Sequence, residues 1–257
     1  MLYARALVRI PASSFAAGIT SAAEGSPDLG RAVEQHRAYC RALADCGLEI
    51  ETLGPDPQHP DSTFVEDTAI LTPRGAIATR PGASSRQGEV ESVVAALRLH
   101  YSDIARITAP GTLDGGDVCE ADGHFLIGHS ARTNEEGARQ LAGLLEDLGY
   151  RASLVDIRAS TGLLHLKTGL SYIGDGRMLM SGEVPRVEAF GPYEIIAVDG
   201  PERYAANCVM VNDRMLLAQG YPRIAAKLLE LGYAIIALEM SEFRKMDGGL
   251  SCLSLRF

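Results

Sequence analysis

The chain has 257 residues, a formal net charge of -9 at pH 7, 46% hydrophobic residues and 22% charged residues. These values are typical of a folded protein with one or two domains, and the acidic charge argues against a nucleic-acid partner, whose phosphates it would repel. No apolar run approaches the roughly 18 residues of a membrane helix, so we expect no membrane partner.

The cysteines indicate a reducing compartment. There are five of them, and no pair has the C-x-x-C spacing, which argues against a disulfide framework or a structural zinc site. The start of the chain also lacks a basic region followed by a long apolar run, the pattern of a signal peptide. We therefore expect reduced thiols and a cytoplasmic location.

A strand, a turn, an amphipathic helix and a second strand recur along the chain. In chain order, the copies contain "ARALVRIPASS" with the helix-like stretch after it, "GAIATRPGASSRQGEVESVVAALRLH", "GHFLIGHSARTNEEGARQLAGLLEDLGYRASLVDI", "GRMLMSGEVPR" with a reduced helical part, and "DRMLLAQGYPRIAAKLLELGYAIIALEM". The helices of the third and fifth copies carry apolar residues at helical spacing. They are followed by Gly149 and Gly232, which predict the helix ends.

About five similar units favour a closed radial array, because such an array removes most free sheet edges. An open α/β sheet is the alternative, since strands that alternate with helices would produce it too. No Pro-rich or Ser-rich linker divides the chain, so we predict a single catalytic domain over residues 1–257.

Four stretches interrupt the repeats and place reactive or charged side chains beside apolar ones. They are "PDSTFVEDT", "GTLDGGDV", "LLHLKTGLSYI" and "MDGGLSC". Such a placement is costly unless the polar group has a partner or a task. These stretches are therefore expected to hold the catalytic groups.

Cys252 and His165 are candidates for thiol catalysis. Cys252 follows two glycines, which allow a backbone to approach a ligand closely, but an inert cysteine in a last strand is the alternative. His165 lies in an apolar stretch that predicts a strand, where a core histidine is the common case. Together they are the minimum parts for a nucleophile and a proton-transfer group.

The acidic residues supply candidates for the remaining roles. Asp114 or Asp117 could orient the histidine, although Asp-Gly also signals a turn. In a strand, the adjacent Glu66 and Asp67 would point to opposite faces. With Asp61 nearby they would favour a cationic ligand, and a solvated acidic loop is the alternative.

Five motifs in this order, "FVEDT", "LDGGD", "LHLKTGLSY", "YAANC" and "DGGLSCLSLRF", resemble the dimethylarginine dimethylaminohydrolase family of the guanidine-modifying amidinotransferase and deiminase superfamily. The resemblance spans essentially the whole chain. It implies a five-bladed α/β propeller (pentein) of ββαβ units. It also implies hydrolysis of N-omega-methylated arginines to citrulline and dimethylamine or methylamine through a covalent cysteine intermediate, with no metal or organic cofactor.

The same resemblance implies a role for each matching residue. Cys252 would be the nucleophile, His165 the general acid and base, and Asp114 the carboxylate that orients His165. The substrate would be a small cationic amino acid. Its implied binding residues are Asp67 and Glu66 for the guanidinium, Asp61 for the α-amino group, Arg86 and Arg132 for the α-carboxylate, Ile19 for a backbone contact on a lid loop, and Phe64.

Lys167 separates the alternatives within the superfamily. Deiminases of free arginine or agmatine usually carry aspartate two residues after the histidine, and a lysine there favours a methylated guanidinium. An arginine or agmatine deiminase-type hydrolase stays open as an alternative. So does a non-catalytic binding protein with the same architecture. The sequence also leaves a homodimer possible.

Overall fold

Five three-stranded sheets account for the strands in a computed structural model that describes residues 2–257. The strands are β1 Arg5–Arg9, β2 Glu49–Leu53, β3 Ala69–Thr72, β4 Gly75–Ala78, β5 Ile104–Arg106, β6 Val118–Ala121, β7 His124–His129, β8 Arg151–Asp156, β9 Leu170–Tyr172, β10 Arg177–Ser181, β11 Glu194–Val198, β12 Val209–Val211, β13 Arg214–Ala218, β14 Ala234–Leu238 and β15 Leu255–Arg256. The α-helices are α1 Leu29–Asp45, α2 Val90–Leu97, α3 Glu135–Asp147, α4 Pro222–Glu230 and α5 Ser241–Arg244.

Each sheet repeats one pattern of strand pairing. Its central strand has one antiparallel and one parallel neighbour, as β7 has in β6 and β8. The antiparallel neighbour precedes the central strand in four of the sheets, and in the fifth it is the last strand, β15, beside β1. The parallel neighbour requires a crossover, which α1, α2, α3 and α4 supply in four of the sheets. The predicted ββαβ repeats are thereby confirmed.

The fourth repeat has the reduced helical part that its sequence predicts. Between β10 and β11 the described chain forms a short 3-10 turn, Glu188–Phe190, in place of an α-helix. Phe190 is buried in the core beneath these strands, so its ring fills part of the space that a helix covers elsewhere.

The helix ends follow the predicted signals. The side chain of Asn134 accepts a hydrogen bond from the Gly137 N–H and caps the start of α3, whose Leu141 and Leu145 are buried. Gly149 and Gly232 follow α3 and α4 with φ angles of 78° and 89°, in the left-handed region where glycine is least strained.

The described chain divides into two compact units. Unit 1 contains the residues up to Val65 together with Asn207–Phe257, and unit 2 contains Glu66–Ala206. Unit 1 holds the sheets β15-β1-β2 and β12-β13-β14, and unit 2 holds the other three. In unit 1 the last strand, β15, pairs antiparallel with β1 and so completes the first repeat.

No helix within residues 2–257 combines the length and the apolar character that crossing a bilayer requires.

Candidate active site

His165 lies in a turn and not in the strand that its apolar neighbours predict. It immediately precedes the 3-10 turn Leu166–Thr168, and its backbone N–H donates to Thr168 Oγ1 at 3.2 Å. The strand β9 begins only at Leu170, after this turn. The strand prediction was therefore wrong for His165, because the chain turns here, with Leu166 buried and Leu163 and Leu164 only partly buried.

Asp114 is the carboxylate that contacts His165. Its Oδ2 lies 2.9 Å from Nε2 of the ring, and both residues are buried. Its Oδ1 accepts the backbone N–H of Gly82 at 2.8 Å, so both carboxylate oxygens are used. The structure thus brings together the predicted general acid and base and its predicted orienting group.

Buried carboxylates control the charge of His165. Burial by itself would lower its pKa, but Asp67, Asp114 and Asp117 outweigh that effect and raise the pKa to about 9. The imidazole is therefore protonated at neutral pH. In that state Nε2–H donates to Asp114, and His165 holds a proton that it could give to a leaving group.

Asp67 lies in a buried network of charges within unit 2. Arg86 Nη1 donates to Asp67 Oδ2 at 2.5 Å, and the Gly116 N–H donates to Asp67 Oδ1 at 2.8 Å. Arg86 also donates to both carboxylate oxygens of Glu89, at 3.0 and 2.8 Å. Burial would raise the pKa of Asp67, but His165 and Arg86 lower it to about 2, so Asp67 is ionised.

Glu66 and Asp67 do not alternate along a strand, which corrects the sequence prediction. They lie in the 3-10 turn Val65–Thr68, just before β3. Glu66 Oε1 accepts from Lys167 Nζ at 2.6 Å. The two acids therefore have separate cationic partners, Lys167 for Glu66 and Arg86 for Asp67.

The two arginines predicted to hold an α-carboxylate have different surroundings. Arg86 is 4% exposed and forms ion pairs with Asp67 and Glu89. Arg132 is more accessible, and its Nη1 lies 3.8 Å from Asp114 Oδ2. Both guanidinium groups belong to the charge network of unit 2. We call Asp67, Arg86, Asp114 and His165 the His165 cluster.

The His165 cluster also has the spacing of a metal site. Asp67, Asp114 and His165 offer one ligand atom each within 4.8 Å of one another. However, the Arg86 guanidinium already binds Asp67 Oδ2, and Asp114 Oδ2 faces His165. Because a fixed cation occupies this set of donors, the arrangement fits a network of hydrogen-bonded charges better than a cation site.

Cys252 lies in unit 1, in the 3-10 turn Ser251–Leu253 that precedes β15. It is partly exposed, whereas Cys46, Cys119 and Cys208 are buried. The Gly249 N–H donates to Cys252 Sγ at 3.4 Å. A backbone donor aimed at the sulfur stabilises negative charge on it. We call residues 248–253 the Cys252 turn.

Close packing explains the two glycines in front of Cys252. A Cβ atom at Gly248 would lie 2.3 Å from the Phe64 ring, and one at Gly249 would lie 2.5 Å from Asn207 Oδ1. Asn207 in turn accepts the Ser251 N–H at 3.0 Å and donates to Ser251 Oγ at 2.9 Å. Only glycine leaves room for these contacts, which fix the turn.

The other predicted residues of unit 1 also form contacts. The Ile19 N–H donates to both oxygens of the buried Asp61 carboxylate, at 3.1 and 3.2 Å. Phe64 packs in an aromatic cluster with Phe15 and Phe243, at ring-centroid distances of 6.0 and 6.2 Å. The structure thus brings Ile19 and Asp61 together, and Phe64 supports the Cys252 turn.

Sequence reasoning missed two residues of the site. Glu89 follows Arg86 by three positions, a spacing that brings side chains together on a helical turn and could have indicated the pair. Asn207 is part of "YAANC", a motif that had been recognised without a role for the asparagine.

Comparisons with known proteins identify relatives that match the chain over its full length. No family model matches the sequence. The chain is 46% identical to the N(G),N(G)-dimethylarginine dimethylaminohydrolase of Pseudomonas aeruginosa, with 100% of both chains covered. It is 34% identical to the enzyme of the same name from Streptomyces coelicolor, over 98% of this chain and 96% of that one.

Solved structures show which fold the chain shares. The Pseudomonas aeruginosa enzyme in complex with citrulline superposes with a TM-score of 0.97, 45% identity and full coverage of both chains. The N-terminal domain of a cyanobacterial arginine dihydrolase has a TM-score of 0.88 at 20% identity over 98% of this chain and 96% of that one, which shows a shared fold alone. The predicted α/β pentein fold is thus confirmed, and the chain belongs to the dimethylarginine dimethylaminohydrolase family.

Proposed function

We propose that this protein hydrolyses N-omega-methylated arginines to citrulline and dimethylamine or methylamine. It is a hydrolase of the C–N bonds of linear amidines. The observation that carries this proposal is the 2.9 Å contact between His165 Nε2 and Asp114 Oδ2, in a chain that matches a dimethylarginine dimethylaminohydrolase over its full length. The buried carboxylates raise the pKa of His165, which favours its protonated form. An imidazolium in this position can protonate an amine as it leaves.

Buried carboxylates support the recognition of a guanidinium. Asp67 is ionised and lies beside His165, so a substrate guanidinium would share it with Arg86. We propose that Glu66 assists at the edge of the same site. A planar guanidinium forms strong paired hydrogen bonds with carboxylates, which suits this role.

The amino-acid end of the substrate would use other residues. We propose that Asp61 receives the α-amino group next to the backbone of Ile19, and that Phe64 forms part of the binding surface. Arg132, with Arg86, would bind the α-carboxylate. A paired guanidinium–carboxylate contact would favour an amino acid over agmatine, which has no carboxylate.

The proposed reaction has two steps. The Cys252 thiolate adds to the guanidinium carbon, and the C–N bond to the methylated nitrogen breaks as His165 gives that nitrogen a proton. This step leaves a covalent thiouronium on Cys252 and a neutral His165. His165 then takes a proton from water, and the resulting hydroxide adds to the same carbon. The C–S bond breaks and returns the thiolate, and the hydroxyl proton passes to solvent as citrulline forms. These steps use protein groups and water alone.

Citrulline production tests the proposal. Purified protein should form citrulline from asymmetric dimethylarginine with a higher kcat/KM than from arginine or agmatine. His165→Gly should stop turnover, and the wild-type protein quenched during turnover should carry a substrate-derived mass on the peptide that contains Cys252. Preferred hydrolysis of arginine or agmatine would replace the proposal with the deiminase alternative, and no citrulline from any of the three would favour a binding protein.

Two further expectations belong with this proposal. The five cysteines are all free in the structure, and the reducing cytoplasm is the location that we propose. A single catalytic domain and a homodimer remain predictions from the sequence, for which light scattering gives the oligomeric state.

A further inference from the structure

Asp117 is a fully buried carboxylate to which the proposed reaction assigns no task. It ends the short 3-10 turn Gly115–Asp117, directly before β6, and its exposed fraction is 0%. Burial raises its pKa to about 6, although His165 and hydrogen bonds from nearby hydroxyl groups partly oppose that effect. Burying such a group is costly, so its contacts merit a functional explanation.

One oxygen of Asp117 holds the backbone next to the general acid and base. Oδ1 accepts the Leu166 N–H at 2.9 Å, and Leu166 directly follows His165. Gly128 on β7 makes this contact possible, because a Cβ atom there would lie 2.9 Å from both Asp117 Oδ1 and Leu166 Cβ. This hydrogen bond therefore fixes the peptide from which the His165 ring projects.

The other oxygen holds a second loop through a serine. Ser130 Oγ donates to Asp117 Oδ2 at 2.6 Å. The same hydroxyl oxygen accepts the N–H groups of Arg132 and Thr133, at 2.9 and 3.1 Å. The backbone of Arg132, the proposed α-carboxylate ligand, is thus linked to Asp117 through one hydroxyl group.

Thr133 extends the link to the carboxylate partner of His165. Its Oγ1 accepts the Asp114 N–H at 3.1 Å, and its hydroxyl group also forms a hydrogen bond with Asp117. One buried carboxylate therefore connects the backbones at His165, Arg132 and Asp114. All of these groups lie in unit 2.

We infer that Asp117 is a positioning residue that fixes the proton-transfer loop through Leu166 and the α-carboxylate-binding loop through Ser130. This inference rests on the proposed function. Catalytic groups must be held within a fraction of an ångström, and a displacement of about 1 Å can cost about 10²-fold in rate. The Leu166 contact therefore acts on kcat, and the Ser130 contact acts on KM.

Two variants separate these contacts. Of these two contacts, Ser130→Ala breaks only the contact between Ser130 and Asp117, so KM for asymmetric dimethylarginine should rise about tenfold while kcat falls less than threefold. Asp117→Ala removes both carboxylate oxygens and therefore both contacts, so kcat should fall about tenfold or more and KM should rise.

Matched controls lie in the same sheet. Glu120→Gln removes a carboxylate that accepts the Gly123 N–H, and Ser153→Ala removes a hydroxyl group bonded to His124. Neither residue contacts the His165 cluster in the described structure, so both variants should keep the kcat and KM of the parent protein within about twofold.

Hydrogen exchange tests the links independently of the reaction. Amide exchange should accelerate at Arg132 and Thr133 in Ser130→Ala, and at Leu166 as well in Asp117→Ala, compared with the controls. Unchanged exchange at these amides would overturn the inference, even if the protein formed no citrulline and the proposed function failed. Lower unfolding free energy with unchanged kcat and KM would also overturn it, because Asp117 would then be purely structural.

Discussion

The Cys252 turn of unit 1 and the His165 cluster of unit 2 are stabilised by different forces. Around Cys252, the neutral side chains of Asn207 and Phe64 fill the space that two glycines leave open. Around His165 the contacts join buried charges, including Asp67 and Asp114. The Cys252 turn should therefore be sensitive to volume, and His165 should be sensitive to pH.

The largest expected effect is a loss of activity when the Cys252 sulfur is replaced and the packing of its turn is kept. Cys252→Ser keeps the size of the side chain but replaces the thiol with a far weaker nucleophile. We expect kcat to fall by at least about 10⁴-fold, with an unchanged unfolding free energy. Citrulline assays and urea denaturation measure the two quantities.

A control and a contrary result sharpen that test. Cys119→Ser changes a buried thiol whose pKa burial raises to about 11, and it should retain activity in its folded fraction. A substrate adduct on the Cys119 peptide, or a Cys252→Ser protein with near-normal turnover, would contradict the role of Cys252.

The second effect should appear in unit 2 as a pH-dependent stability. The folded pKa of His165, about 9, lies above the usual 6.5, so its charge stabilises the fold fully below pH 6.5. This contribution is lost as the pH rises through 9. The unfolding free energy of the wild type minus that of His165→Gln should therefore fall by up to about 3 kcal/mol between pH 6 and pH 9.5.

Urea denaturation of both proteins at several pH values makes this measurement. Gly248→Ala supplies the contrast from unit 1, because it changes no ionisable group and its difference from wild type should not vary with pH. A difference between wild type and His165→Gln that is flat over this range would mean that the carboxylates do not hold His165 protonated.

The third effect should appear in the Cys252 turn as a response to volume. A Cβ atom at Gly248 would lie 2.3 Å from the Phe64 ring, so Gly248→Ala must displace an aromatic side chain or the turn. We expect a loss of about 1–3 kcal/mol in unfolding free energy together with a lower kcat. Gly54→Ala, with no heavy atom within 4 Å of the new Cβ atom, should show neither change. Equal effects of the two substitutions would contradict the explanation that Gly248 is required for close packing against Phe64.

The same contrast explains what the sequence could predict. The repeats were predictable because helices such as α3 carry apolar residues at regular spacing and end at Gly149. The turns at His165 and Asp67 were not, because a 3-10 turn of three or four residues has no periodic signature and its apolar neighbours resemble a strand.

The sequence also could not predict which buried side chains of the candidate site contact each other. The motifs identified Asp114 and His165, but nothing in the sequence indicates that Asp67 would be shared with Arg86 or that Asp117 would hold Leu166. These two contacts join residues that lie 19 and 49 positions apart. Only the tertiary fold decides which buried charge meets which.

The smallest expected effect concerns substrate selectivity. Lys167 Nζ lies 2.6 Å from Glu66 Oε1 and so engages a carboxylate next to Asp67. Lys167→Met removes that ammonium group, and the Glu66 carboxylate becomes able to accept hydrogen bonds from an unmethylated guanidinium. We expect kcat/KM for arginine relative to asymmetric dimethylarginine to rise about tenfold, or about 1.4 kcal/mol.

Competition assays with both substrates at pH 8 measure this ratio. Lys245→Met is the matched control in unit 1, because Lys245 pairs with the buried Glu242 at 2.7 Å. That variant loses a comparable ion pair and should leave the ratio unchanged. If both lysine variants change the ratio equally, selectivity does not depend on the charge beside Asp67. A change confined to Lys167→Met would show that the cation on Glu66 keeps an unmethylated guanidinium from gaining a second carboxylate.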